Sequence, residues 1–318
     1  MTESLPRIVF MGTPEFAVAS LRALHEEGFP VLAVVTAPDK PSGRGRRISF
    51  TPVKEYALTH NLTLLQPEKL RDKDFIKMLS DLNADIFVVV AFRMLPEEVW
   101  SIPALGTFNL HASLLPHYRG AAPINHAVMN GETRTGVTTF LIDKEIDTGK
   151  ILLARDTTIG PEEDAGELHD RLMMMGTELV TETAKGLYDG RLTPVPQMAG
   201  KDMELKQAPK IFPPDMIIDW RAPALRVHDM IRGLSPSPGA VATLHFEDKS
   251  MRIKIYASRI LDKVTAIPGS IIVENKSRLI ISCSVGALEI LSIQPEGRKR
   301  MTAAEFLRGF DTTGCELA

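Results

Sequence analysis

Three features of the chain predict an α/β fold: a Rossmann-like, doubly wound, mostly parallel sheet carrying a small C-terminal β-barrel. Short apolar runs alternate with stretches of helical spacing through the first half. One of these runs, Ile86-Phe-Val-Val-Val-Ala91, is apolar without alternation, the pattern of a strand covered on both faces. Beyond a break between residues 190 and 215, which hold five prolines and two glycines, the runs become short, β-branched and separated by turn signals. The 318 residues suit two domains, read as 1–190, a linker over 191–206, and 207–318.

In chain order, Arg7–Met11 reads as a buried strand and Gly12-Thr-Pro-Glu15 as the turn into a helix. Thr13 is expected at the N-cap and Pro14 at the first helical position. Phe16, Ala19, Leu21 and Leu24 give that helix its apolar face, and Gly28 closes it. Val31–Val35 is the next strand. A helix over Val53–His60, a strand over Leu62–Leu65, a helix over Asp72–Leu82 and a strand over Asp85–Ala91 follow. Thr107–His111 and Val137–Ile142 read as strands, with a helix over Pro123–Asn130 between them. A long helix runs from about Glu163 to Tyr188. Past the break come a helix over Ala222–Arg232 and a Pro/Gly turn at Ser235–Gly239. Strands are expected over Val241–Phe246, Arg252–Tyr256, Ser270–Val273, Leu279–Cys283 and Leu288–Ile293.

Composition narrows the class. With 44% hydrophobic and 24% charged residues, the chain is an ordinary globular one. No apolar run reaches the roughly 18 residues of a membrane span, and the first residues do not read as a signal peptide. Two cysteines, Cys283 and Cys315, neither staple a fold nor form a zinc site, which points to a reducing, cytoplasmic setting. The net charge of −3 hides an asymmetry: residues 206–318 carry 16 Lys and Arg against 12 Asp and Glu, whereas residues 1–205 carry 21 against 28. A basic second half hints at a polyanionic partner.

Two common cofactor signatures are absent. No G-x-G-x-x-G follows the first strand, and Asp147-Thr-Gly-Lys150 lacks the upstream glycine of a phosphate loop. The richest segment is Phe108-Asn-Leu-His-Ala-Ser-Leu-Leu-Pro116. Asn109 and His111 lie two apart on a strand, so their side chains share one side. They stand near its carboxyl end, where open α/β sheets bind ligands. An imidazole and an amide there suit a general base and a carbonyl-polarising donor. Asp147, in a polar loop after an apolar strand, offers an orienting or proton-accepting carboxylate. Singly, each of these residues is more ordinary as a structural histidine or a turn. A zinc site from His111, His117 and Asp147 lacks a usual ligand spacing, and no metal is expected.

Together, Asn109-x-His111, Ser113-Leu-Leu-Pro116 and Asp147-Thr-Gly149 resemble the folate-dependent formyltransferases. Gly12-Thr-Pro-Glu-Phe-Ala17, Ala37-Pro-Asp-Lys-Pro-Ser-Gly-Arg-Gly-Arg46, Ile218-Asp-Trp220 and Gln294-Pro-Glu-Gly-Arg-Lys299 are similar to the members that formylate methionyl initiator tRNA. The resemblance implies Asn109, His111 and Asp147 as the catalytic trio, with Ser113, Leu114, Leu115 and Pro116 lining a site for 10-formyltetrahydrofolate. It implies that residues 36–51 reach the tRNA acceptor arm and that the tail is an oligonucleotide-binding-like barrel. The cations expected on tRNA are Lys40, Arg44, Arg46 and Arg47 in the loop, with Lys210, Arg298, Lys299 and Arg300 in the tail. The protein is expected to act as a monomer, without a membrane. Many relatives carry Gly after the strand-end aromatic where this chain reads Ala91-Phe-Arg-Met-Leu-Pro96, so Arg93 is expected near the pterin pocket.

Two alternatives remain open. A sugar-nucleotide formyltransferase shares the catalytic trio but has no need of five cations between Lys40 and Lys54. A non-catalytic nucleic-acid-binding module would bind no folate.

Overall fold

The computed structural model describes residues 4–42, 47–198, 204–246, 249–261, 267–312 and 314–317. It begins with β1 (Ile8–Gly12), α1 (Glu15–Glu26), β2 (Val31–Val35), β3 (Lys40–Ser42), β4 (Arg47–Ser49), α2 (Pro52–Thr59) and β5 (Leu64–Leu65). Next come α3 (Lys73–Asp81), β6 (Ile86–Val90), α4 (Glu97–Trp100), β7 (Thr107–His111), β8 (Arg119–Gly120), α5 (Pro123–Met129), β9 (Arg134–Leu141), β10 (Ile151–Thr158) and α6 (Ala165–Tyr188). After β11 (Gln207–Ala208) and a 3-10 turn at Pro213–Met216 follow α7 (Ala224–Gly233), β12 (Ala240–Phe246), β13 (Lys249–Leu261) and β14 (Ile271–Glu274). The chain ends with β15 (Arg278–Ser282), β16 (Ala287–Pro295), β17 (Met301–Thr302), α8 (Ala303–Gly309) and β18 (Glu316–Leu317).

Two compact units result. One comprises Met1–Pro123, Thr135–Thr157 and His169–Gln207; the other comprises Ile124–Arg134, Thr158–Leu168 and Ala208–Ala318. The second unit thus recruits two segments from before residue 190. Within it, the Asn125 amide donates to the Gly233 carbonyl at 2.7 Å, and Arg232 Nη1 donates to the Glu163 carbonyl at 3.1 Å.

The first unit is built on a seven-stranded sheet in the order β10-β9-β7-β6-β1-β2-β5. The β1, β2, β5, β6 and β7 pairings are parallel, and β7 pairs β9 antiparallel. The order reverses beside β1: the chain first builds outward to β2 and β5, then returns to lay β6 on the other side. Such a switch point opens a crevice at the strands' carboxyl ends. Every residue of β6 is buried, as its unbroken apolar run predicts, and each large side chain so buried contributes about 1.5–3 kcal/mol. Gly12 ends β1 because a Cβ there would stand 2.6 Å from Ala17 Cβ and 3.0 Å from the Val90 carbonyl.

In the second unit an antiparallel half-barrel sheet runs β14-β15-β16-β13-β12-β18, with β17 on β16. Trp220, Ile231, Leu234, Ile255, Leu288 and Phe306 fill its core.

Several local expectations are corrected. Thr13 is not the N-cap: α1 starts at Glu15 behind Pro14, with no side-chain cap. The strand expected over Leu62–Leu65 contracts to Leu64–Leu65. In the tail, the strand expected over Arg252–Tyr256 extends to Lys249–Leu261. The edge strand β10 and the helix α8 add to the elements that the sequence pattern predicts.

Candidate active site

Asn109 and His111 stand on β7, with Asn109 in register with Val89 of β6 and Phe140 of β9. His111 closes the strand and is buried. Its Nε2 lies 2.8 Å from the Tyr118 carbonyl. A carbonyl only accepts, so Nε2 carries a proton. The ring's Nδ1 faces Asp147 Oδ2 at 3.7 Å, beyond a hydrogen bond but well within ion-pair reach once the ring is protonated. Among the described residues the Asn109 side chain makes no hydrogen bond, so its amide is free for a ligand.

The loop between β9 and β10 holds Asp147 in the left-handed region at φ 56°, a conformation that costs a non-glycine residue energy unless its surroundings impose it. Asp143 starts the constraint: its Oδ1 accepts from the Glu145 N–H at 3.2 Å and from Thr148 Oγ1 at 2.7 Å. The Gly120 N–H then donates to Asp147 Oδ2 at 2.8 Å. Gly149 completes the turn because any Cβ there would overlap the Leu141 carbonyl at 1.6 Å.

Ser113, Leu114, Leu115 and Pro116 form the segment after β7, with a cis Leu115–Pro116 bond. Ser113 is 0% exposed. Its hydroxyl donates to the His117 carbonyl at 2.7 Å, while its own carbonyl accepts from Thr138 Oγ1 at 2.7 Å. Both groups are committed to shaping the loop, which leaves Ser113 no role as a nucleophile. Leu114 and Pro116 are half-buried. Arg93 likewise turns inward to backbone: Nη1 donates to the Glu68 carbonyl and Nη2 to the Pro67 carbonyl. Burial lowers the pKa of its guanidinium.

The cations separate into distinct places. Lys40 and Arg47 begin and end the β3–β4 pairing, in which Lys40 is in register with Ser49 and Ser42 with Arg47. Arg44 and Arg46 lie outside the described residues. Lys54, counted with this cluster from the sequence, is not a free cation. It is 9% exposed, its Nζ pairs with Asp39 Oδ2 at 2.5 Å, and it sits 4.0 Å from the Phe50 ring centroid. A lysine in the first turn of α2 opposes the helix dipole, and Asp39 offsets that conflict. Hydrogen bonds from Lys54 and Gln66 lower the Asp39 pKa. In the second unit, Arg298, Lys299 and Arg300 form an exposed turn after β16. The Arg300 guanidinium lies 4.5 Å over the Tyr256 ring and donates to Ser292 Oγ at 2.7 Å. Lys210 is exposed elsewhere in that unit, 5.6 Å from the Phe212 ring centroid.

One residue of the site carries no signal in the sequence. Gln197, in the stretch that reads as linker, donates from Nε2 to the carbonyls of Asp147 at 2.9 Å and Gly149 at 2.8 Å. Arg119 grips its Oε1 through Nε at 3.2 Å and Nη2 at 2.6 Å. No local pattern in Thr-Pro-Val-Pro-Gln-Met marks such a role; only the chain's return against β10 creates it. Among the described residues, no group of three or more His, Cys, Asp or Glu is placed to hold a metal ion. Nor is any described helix long and apolar enough to cross a membrane.

Residues 6–184 match the Formyl transferase family, and residues 210–311 match the Formyl transferase C-terminal domain family. The chain is 50% identical over 313 residues to a methionyl-tRNA formyltransferase of Bacteroides fragilis, covering 96% of each chain. It is 52% identical over 309 residues to that of Parabacteroides distasonis, covering 96% of this chain and 95% of the relative. Among solved structures, the fold is similar to an N-formyltransferase from Helicobacter canadensis in complex with folinic acid and dTDP-3-aminofucose. That likeness has a TM-score of 0.65 at 18% identity, over 90% of this chain and 99% of that one. HypX from Aquifex aeolicus in complex with tetrahydrofolic acid matches with a TM-score of 0.63 at 18% identity, over 96% of this chain and 47% of that one. With both domains matched and half of the residues shared over nearly the full length, the chain belongs to the folate-dependent formyl transferase family, among the methionyl-tRNA formyltransferases.

Proposed function

We propose that this enzyme transfers the formyl group of 10-formyltetrahydrofolate to the free amino group of methionyl initiator tRNA, as a monomer in the cytoplasm, in support of translation initiation. The observation that carries the reading is the approach of His111 Nδ1 to Asp147 Oδ2 at 3.7 Å, on the strand that also bears Asn109, in a chain half identical to methionyl-tRNA formyltransferases.

The chemistry follows from the three groups. The amine nitrogen forms a bond to the formyl carbon, and the carbonyl π pair moves onto oxygen. Asn109 donates to that oxyanion, and protonated His111 supplies the compensating charge; fixed donors of this kind are among the largest contributions to catalysis. Asp147 stabilises the imidazolium across the 3.7 Å gap and manages the proton that the attacking amine loses. As the oxyanion collapses, the carbon–nitrogen bond to the folate breaks and the proton passes to the leaving nitrogen. No covalent enzyme intermediate is required, which agrees with the internal commitment of Ser113 Oγ.

The segment Ser113–Pro116 supplies a shaped wall for the folate, chiefly through Leu114, Leu115 and Pro116. Lys40, Arg44, Arg46 and Arg47 serve the tRNA backbone from the loop that carries β3 and β4. Lys210, Arg298, Lys299 and Arg300 serve it from the second unit, where Arg300 stacked on Tyr256 presents a fixed cation.

The test is competition between acceptors. With 10-formyltetrahydrofolate as donor, charged initiator tRNA is expected to be formylated far faster than a dTDP-amino sugar. Preference for the amino sugar would overturn the acceptor while leaving formyl transfer intact.

A further inference from the structure

We propose that Gln197 is a positioning residue for the reaction: its side-chain amide, locked by Arg119, holds the loop that sets Asp147 against His111. The inference rests on the catalytic reading of Asp147 given above. It concerns a residue outside the trio, in a stretch whose proline content reads as a passive connector.

The hydrogen bonds leave Gln197 a single useful orientation. Its Oε1 accepts two bonds from the Arg119 guanidinium, and its Nε2 donates both hydrogens, one to the carbonyl of Asp147 and one to that of Gly149. A flipped amide would set Oε1 against two carbonyl oxygens and Nε2 against a cation, so the flip is excluded by charge alone. The backbone delivers the side chain to this spot. Ile151 and Val195 exchange both N–H···O bonds at 2.8 Å, which pins the segment to the root of β10 two residues before Gln197.

Arg119 gives the clamp its second anchor. It is the first residue of β8, and the next residue, Gly120, donates its N–H to Asp147 Oδ2. One residue earlier, the Tyr118 carbonyl accepts from His111 Nε2. The stretch 118–120 therefore touches the imidazole, the Gln197 amide and the Asp147 carboxylate in turn. Gln197 closes the circuit by tying Arg119 to the backbone on both sides of Thr148. With Asp147 at φ 56°, a conformation that only its surroundings sustain, loss of the clamp frees the carboxylate to move away from His111. A misplacement near 1 Å is enough to lower a rate by about 10²-fold.

A double-mutant cycle on the full chain tests this, using formyl transfer at saturating donor and charged initiator tRNA. Gln197→Ala is expected to lower kcat by roughly 10- to 100-fold with the KM for folate changed less than about threefold. Gln197→Glu, which keeps the Arg119 partner but offers no donor to the two carbonyls, is expected to be equally impaired. In an Asp147→Asn background, adding Gln197→Ala is expected to cost nothing further, because the clamp acts only through that carboxylate. Full additivity of the two losses, or wild-type kcat in Gln197→Ala, overturns the proposal. Wild-type kcat in Asp147→Asn alone would overturn the catalytic reading instead, so the two failures are distinguishable.

Discussion

Gly149→Ala is expected to cost the enzyme both stability and rate, for a reason that lies wholly in space. Gly149 does not have a positive φ, so alanine is conformationally acceptable. Its Cβ, however, would stand 1.6 Å from the Leu141 carbonyl oxygen, and Phe140 Cδ2 follows at 3.4 Å. Ordinary contact needs about 3.4 Å, so the two backbones must separate by nearly 2 Å. They are joined by the Leu141 N–H, which donates to the Lys150 carbonyl at 2.9 Å, and the Gly149 carbonyl itself accepts from Gln197. Forfeiting these two bonds and stranding their partners costs about 2–4 kcal/mol, or a fall in Tm of roughly 5–15 °C. Asp147, two residues upstream, moves with the loop, and kcat is expected to fall about 10²-fold. Calorimetry and steady-state formyl transfer read both effects. Gly190→Ala is the control: Gly190 has φ +68° with nothing within 4 Å of the added Cβ, so only backbone strain of about 1 kcal/mol arises and kcat stays. A Gly149→Ala protein with wild-type Tm and kcat would refute the packing argument.

Replacing Arg44, Arg46 and Arg47 by Ala is expected to weaken tRNA binding and flatten its log–log salt dependence by roughly 0.7–0.9 for each phosphate pairing removed, with folate titration unchanged. An unchanged slope would show that this loop does not pair with tRNA phosphates. Glu289, whose pKa is held low by Arg278, stabilises the second unit above the unfolded-state pKa of roughly 4.3. That stability is lost as pH falls through the lower native value, so Glu289→Gln is expected to flatten the acid limb of a Tm–pH profile. Burial pushes the Cys283 thiol up to about 11. Native protein at a pH of about 8, below even the ordinary thiol pKa, is therefore expected to leave Cys283 unalkylated until denatured, as mass spectrometry of the labelled chain would show. Its contribution to stability is complete below the unfolded thiol's pKa and declines as pH rises toward about 11.

What the sequence reveals depends on how local each signal is. The core strand Ile86–Val90 is legible because burial on both faces demands an unbroken apolar run. β10 is not: at the sheet edge Leu152 is the only buried residue of its eight, and Ile-Leu-Leu-Ala-Arg-Asp-Thr-Thr carries no clear period. The start of α8 does carry a local signal, since Thr302 and Glu305 form a capping box there, but the helix behind it is only seven residues long, too short for a period to show. Thr13 fails as a cap because Pro14 takes that place and the helix starts one residue later. At the site, the strand that carries both Asn109 and His111 is legible and forms β7, and the Asp147 loop stands out by its polarity. Lys54 misleads a local charge count, because its partner Asp39 lies fifteen residues upstream. Gln197 and Arg119 are beyond reach for the same reason: they are 78 residues apart in sequence and meet only in the folded chain.

Asn109, His111 and Asp147 are proposed to carry out formyl transfer to methionyl initiator tRNA. The most direct measurement is single-turnover transfer from 10-formyltetrahydrofolate by wild type, His111→Ala and Asp147→Ala, with circular dichroism confirming that each is folded. Either variant is expected to lose at least about 10²-fold in the chemical step, with tRNA and folate still bound. A folded variant that transfers the formyl group within a few-fold of wild type would contradict the claim.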